Sequence, residues 1–256
     1  MSDSDVDTFF IGTTRNSHAI SRMENPNFQD DNEEYQKVRE EFITEHRARL
    51  HSDQEVQCEV CGLEMEKGAH VHHIDGDHTH NVKSNFSLRC PYCHLCEHIG
   101  FVGKENKGVI IYAPDISQAS LNLLLVTCYT LRYSIDLLKE GSSERQKLES
   151  MILQVDSLVQ AFESQKSIVL RNFQTDNPAD FADKFLAMSQ DEYDKRSVGT
   201  FSGLKLFFYP DGFESEIKTW AETIFKVGES KSNPLQPREW VSRAKVFQTQ
   251  AKEVNE

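Results

Sequence analysis

HVHHIDGDHTHNVKSNFSLRCPYCH, residues 70–94, is the stretch on which the reading of the whole chain turns. It closes on Cys90-Pro-Tyr-Cys93, a turn that can point two thiolates at one ion. Upstream, Cys58-Glu-Val-Cys61-Gly62 has the same form, and Gly62 permits the tight left-handed turn such a knuckle uses. The 28 residues between the two pairs leave room for a hairpin. Zinc takes four such ligands in a tetrahedron, so Cys58, Cys61, Cys90 and Cys93 are the expected ligands of one structural zinc. Cys96 extends the second pair to CxxCxxC and could replace Cys90 or Cys93. The preferred assignment leaves the helix beginning near His94 intact and makes Cys96 a spare thiol.

Composition agrees with a metal site. Five of the six cysteines fall between residues 58 and 96, a clustering that reads as metal ligands of a reducing cytosol rather than as a disulfide framework. The sixth, Cys128, lies in an apolar segment and reads as a small buried hydrophobe. With 38% hydrophobic and 27% charged residues, most of the 256-residue chain is expected to fold. No apolar run approaches the ~20 residues that a bilayer span requires, and MSDSDVDTFF lacks the basic start of a signal peptide. A net charge of −13 argues against a protein whose main task is gripping nucleic-acid phosphates.

Working outward, residues 1–30 are polar and read as a flexible acidic arm, with Phe9-Phe10-Ile11 as a short apolar patch able to add a strand or dock. From residue 30 to 50, Tyr35, Val38, Phe42 and Ile43 recur on one helical face, acidic residues crowd the start, and Arg47 and Arg49 the end. GVIIY (108–112) reads as a strand stopped by Pro114, after which Asp115 caps a long apolar helix ending near Gly141. A second long helix is expected over 142–173, another opening at Pro178, a strand over 204–209 (LKLFFY) before the Pro210-Asp211-Gly212 turn, and two final helices, 213–227 and 237–253. Trp220 and Trp240 lie in those last two helices, where amphipathic packing would bury them; the alternative for Trp240, next to Arg238 and Arg243, is a partly exposed contact for a protein partner. The expected fold class is α+β, mostly α. Its domains are the arm (1–30), a zinc module with its leading helix (31–113) and a helical body with one short strand (114–256).

The stretch 70–94 resembles the HNH (ββα-metal) nucleases, whose pattern is a His-His or Asp-His pair ending a strand, an Asn, then CxxCH. The pair here is His72-His73, the Asn is Asn85, and Cys90, Cys93 and His94 complete the pattern. The resemblance implies an HNH-like, treble-clef zinc module over 58–98. It also implies phosphodiester hydrolysis, with His72 and His94 as ligands of a second, divalent metal, His73 as general base and Asn85 steadying the backbone. His70, His78, His80 and His98 are in excess of the pattern, and His78 and His80 read as solvated loop residues. A longer stretch, about 41–245, is similar to the DotN (IcmJ) type of subunit in Dot/Icm-type type IV secretion coupling complexes. IDGDHTHNVKSNFSLRCPYCHLC (74–96), GVIIYAPDISQASLNLLLVTCYTL (108–131) and LKLFFYPDGFESEIKTWAE (204–222) carry that similarity. It implies an adaptor on an HNH-like zinc fold, beside the coupling ATPase, cytoplasmic and held at the inner membrane through its partners. The expected function is therefore a zinc-stabilised adaptor that binds proteins rather than nucleic acid, with an HNH endonuclease as the alternative.

Overall fold

The computed structural model describes residues 9–15, 33–48, 56–65 and 67–226. The expected helix over 237–253 and Trp240 lie outside them. The fold is α+β and mostly helical, with three two-stranded antiparallel sheets.

Helix α1 (Glu33–Ala48) forms where Tyr35, Val38 and Phe42 recur at helical spacing. It lies across the hairpin of β3 (His70–His73) and β4 (Phe86–Arg89), with Phe42 edge-on to Phe86 at 5.5 Å. Lys83 pins the far side by reaching Glu41 at 3.0 Å and Glu45 at 2.6 Å. Before this hairpin, β1 (Val56–Gln57) and β2 (Glu64–Met65) frame the first cysteine pair. After it come two short helices, α2 (Pro91–Leu95) and α3 (Ile99–Lys104).

β5 (Gly108–Tyr112) and β6 (Leu204–Phe208) arise where both strands were expected, and they pair with each other, Ile110 opposite Leu206. Helix α4 (Gln118–Leu137) packs beside β6, α5 (Ser143–Ser164) returns along α4, and α6 (Lys166–Phe173) packs on β5. The expected 142–173 helix is thus two helices parted at Gln165. The cap of α4 is Ser117, whose hydroxyl accepts from the Ser120 N–H, and not Asp115. α7 (Pro178–Leu186) begins at a proline, as the sequence suggests, and α8 (Gln190–Asp194) carries a full capping box from Ser189 and Glu192. α3 and α7 approach closely because residue 103 is glycine: a Cβ there would stand 2.2 Å from the Ala179 nitrogen.

α9 (Glu214–Lys226) closes the core with Trp220, which is 3% exposed, as inward packing required. Tyr92, the residue between Cys90 and Cys93, is fully buried; it stacks on Phe208 at 4.4 Å and meets Phe213 at 4.7 Å and Trp220 at 6.0 Å. Each such aromatic pair adds about 0.5–1.5 kcal/mol beyond its burial, so the second cysteine knuckle is riveted into the helical body.

Residues 9–15 depart from the expected flexible arm. Ile11 is fully buried, and the Gly12 backbone bonds to Cys96 and Ile99. Tyr193 of α8 exchanges two hydrogen bonds with Thr13, at 3.0 and 2.8 Å, and Arg196 donates to the Ile11 carbonyl. The Phe9-Phe10-Ile11 patch is the physical reason: its apolar area is worth burying, and the body offers a seat for it.

Candidate metal centre

The first knuckle turns at Gly62 (φ +71°), whose N–H donates to the Cys58 carbonyl at 2.8 Å. The second forms where β4 runs into α2: Cys90 is the N-cap, its sulfur accepts from the Cys93 N–H at 3.4 Å, and Pro91 starts the helix. Together they bring the sulfurs of Cys58, Cys61, Cys90 and Cys93 within 4.8 Å of one another. Three of the four residues are buried and Cys61 is half-buried. Hydrogen bonds from its three neighbours pull the Cys58 thiol far below its ordinary value, whereas burial pushes Cys90 and Cys93 well above theirs. Four sulfurs this close cannot all ionise without a cation among them, and a dication with a preference for thiolate fits this set. Cys96 stands outside the group. Its neighbour is the fully buried Asn122 of α4, whose Nδ2 reaches Cys93 Sγ at 3.4 Å and Cys96 Sγ at 3.3 Å.

The histidines divide by the two-residue period of β3, which sends His70 and His72 to one face and His73 to the other. On the first face the ring nitrogens of His72, His94 and His98 converge within 4.8 Å. His98 is the member that the sequence reading left unassigned; its i, i+4 spacing from His94 was the available signal. Burial, then the neighbouring rings, holds His94 well below its ordinary value and brings His98 down to about 3, so both are neutral and can offer lone pairs at pH 7. His72 is 2% exposed and its Nδ1 has no hydrogen-bond partner among the described residues. An orphaned buried nitrogen beside two neutral imidazoles is what a metal ligand looks like without its ion.

His73 does not join that cluster. Its Nε2 bonds to Asn81 Oδ1 at 2.8 Å, and its ring is stacked between Tyr35 at 5.6 Å and His78 at 4.9 Å. His78 is thereby half-buried, not the solvated loop residue expected, while His80 is exposed and paired with Asp75 at 2.7 Å. Asn85 locks the connecting loop: its Nδ2 donates to Asp75 at 2.8 Å and to the His80 carbonyl at 3.0 Å, and its Oδ1 accepts from the Asp75 N–H at 3.1 Å.

The Type 4 apparatus protein DotN of Legionella pneumophila is 26% identical to this chain over 174 residues, 66% of this chain and 74% of DotN. The chain is DotN-like. The DotN-like chain also contains an HNH-like module. The HNH-nuclease-like protein YajD of Escherichia coli is 42% identical over 50 residues, 19% of this chain and 44% of YajD. Its Salmonella typhimurium counterpart is 39% identical over 59 residues, covering 20% and 51%. No protein-family model matches the DotN-like chain. Among the described residues, none of its helices is long and apolar enough to cross a membrane.

Proposed function

We propose that this chain is a zinc-stabilised adaptor of a type IV secretion apparatus. It binds protein partners of the coupling complex, its ATPase among them, at the cytoplasmic side of the inner membrane. The observation that carries this reading is the reach of the similarity to DotN, 174 residues against the 50 shared with YajD. That reach takes in far more than a metal module. Zinc at Cys58, Cys61, Cys90 and Cys93 would hold the module's two knuckles together, and Tyr92 passes that rigidity to the helical body.

A second reading, an HNH endonuclease, is favoured by the convergence of His72, His94 and His98. A divalent ion bound there would polarise a phosphodiester, and His73, on the opposite face of β3, would take the proton from water. Two features weigh against it: both faces of the His73 ring are covered, and its Nε2 is committed to Asn81. The histidine metal site belongs to either reading, as a second structural ion or a catalytic one.

Purification of the tagged chain from its own cell tests the assignment, with a coupling ATPase in the eluate as the expected result. In parallel, the purified chain should leave plasmid and single-stranded DNA intact with Mg²⁺, Mn²⁺ or Ni²⁺. Cutting that vanishes in His73→Ala and survives in His80→Ala would replace the adaptor by the nuclease. Loss of a general base costs about 10²–10⁴-fold, ample range for that comparison.

A further inference from the structure

Each of the three convergent histidines has a ring nitrogen in contact with a group outside the trio. His98 Nδ1 meets the Thr14 hydroxyl at 3.0 Å, while its Nε2 faces His94 Nε2 at 3.2 Å. His94 Nδ1 meets His70 Nδ1 at 3.0 Å. His72 Nε2 stands 2.9 Å from the Glu97 carboxylate, which Arg89 holds from its other oxygen. Neither ring nitrogen of His72 makes a hydrogen bond of regular geometry among the described residues; Nε2 has the Glu97 carboxylate at ion-pair distance, and Nδ1 is the nitrogen that does not face it.

We propose that Thr14, His70 and Glu97 are positioning residues of the histidine metal site. Each fixes the tautomer and tilt of one ligand, so that His72 Nδ1, His94 Nε2 and His98 Nε2 address a single divalent transition ion. The inference rests on the reading of these three histidines as metal ligands given above. A metal-binding imidazole needs its other N–H satisfied, since the outer bond sets which nitrogen keeps a lone pair and strengthens it as a donor. Glu97 takes the N–H of His72, and Thr14 takes that of His98. His70 Nδ1 accepts from His94 Nδ1. Were the three contacts mere satisfaction of buried polar atoms, His72 Nδ1 would have been satisfied too; an unsatisfied buried acceptor costs about 1–3 kcal/mol.

Thr14 ties the arrangement to the N-terminal segment. It lies 84 residues from His98 and reaches it only because residues 9–15 are seated against Cys96, Ile99, Tyr193 and Arg196. The outermost wall of the site is therefore supplied by the N-terminal segment, and ion affinity and docking of that segment are linked in both directions.

The test uses the full chain with its cysteine site loaded with zinc, titrated with Co²⁺ against a chelator of known affinity. Wild type should take up one further cobalt, with a visible d–d band and none of the thiolate charge transfer that cobalt at cysteine would add. Thr14→Val and Glu97→Gln should each weaken that uptake by about 10–100-fold and alter the band. Thr14→Ser, which keeps the hydroxyl, should stay within a few-fold of wild type, and zinc content should not change in any variant. Uptake in Thr14→Val and Glu97→Gln equal to wild type would overturn the positioning roles and leave the metal site standing. Should Thr14→Val be too unstable to titrate, Thr14→Ser decides: cobalt retained supports the role of the hydroxyl, and cobalt lost refutes it. Wild type taking no second ion would remove the metal site itself, and this inference with it.

Discussion

Replacing Gln118 by leucine tests how the sheet is closed. Gln118 is 1% exposed at the start of α4, and its amide pairs with the backbone of Leu206: the Leu206 N–H donates to Oε1 at 2.8 Å and Nε2 donates to the Leu206 carbonyl at 2.9 Å. The same Nε2 donates to Asn122 Oδ1 at 2.8 Å. The side chain thus does for the outer edge of β6 what a neighbouring strand would do. Leucine has nearly the same volume, so Gln118→Leu leaves no large cavity and isolates the polar loss. Two backbone groups of Leu206, itself fully buried, are left without partners. At about 1–3 kcal/mol each the cost is roughly 2–6 kcal/mol. For a domain of this size each kcal/mol moves the melting temperature by about 2–4 °C, so a fall of roughly 4–24 °C is expected. Calorimetry of the zinc-loaded protein measures it, and the Leu206 amide should lose protection in hydrogen exchange. Gln118→Glu should also be destabilising, because it keeps the acceptor and replaces the donor by a charge. A melting temperature within about 2 °C of wild type for Gln118→Leu, with the Leu206 amide still protected, would refute the reasoning.

Two further outcomes can be checked directly. Cys58→Ser and Cys90→Ser should lose the zinc and open the module to protease, while Cys96→Ser, outside the four-sulfur group, should keep wild-type zinc content; metal analysis beside limited proteolysis reads both. The Asp75 carboxyl is subject to partial burial, which raises its pKa, but hydrogen bonds from His80, the Asp77 backbone and Asn85 outweigh this and bring it to about 2. A depressed carboxylate stabilises the folded state fully above its ordinary pKa, and that contribution is lost as pH falls toward the folded value. The side chain is 41% exposed, so solvent screening keeps the contribution small. NMR titration of Asp75 should therefore show a midpoint near 2; a midpoint at the ordinary value of 3.8 would contradict the bonding seen in the loop.

Much of this could be read from local pattern. The CxxC pairs, GVIIY, LKLFFY, and the proline opening α7 each announce themselves within a few residues, because turns, β-branched runs and caps are short-range chemistry. What escaped was long-range. Nothing near residues 108–112 names residues 204–208 as partner, and Phe10 and Ile11 are buried in a segment that Tyr193 and Arg196 hold by its backbone. The break at Gln165 carries no proline or glycine to mark it. The division of the histidines was half legible. The alternation of β3 separates His72 from His73, but Glu97 and Thr14 are visible beside the cluster only after folding. His98 is signalled by its i, i+4 spacing to His94, but it lies beyond the residue at which the HNH pattern ends.

The pairing of β5 with β6 also bears on how the chain is made. Val109, Ile110 and Ile111 are buried beside β6, which is made long after them. A ribosome adding about 5–20 residues per second takes roughly 5–20 s to cover the stretch between the two strands. For that interval the nascent chain carries a β-branched strand with a bare edge, a sticky surface of the kind that recruits other unfinished chains. Expression of a fragment cut just after residue 113 would make that transient state permanent. The isolated zinc module would then be recovered from inclusion bodies, while the longer chain ending beyond α9 would be recovered from the supernatant.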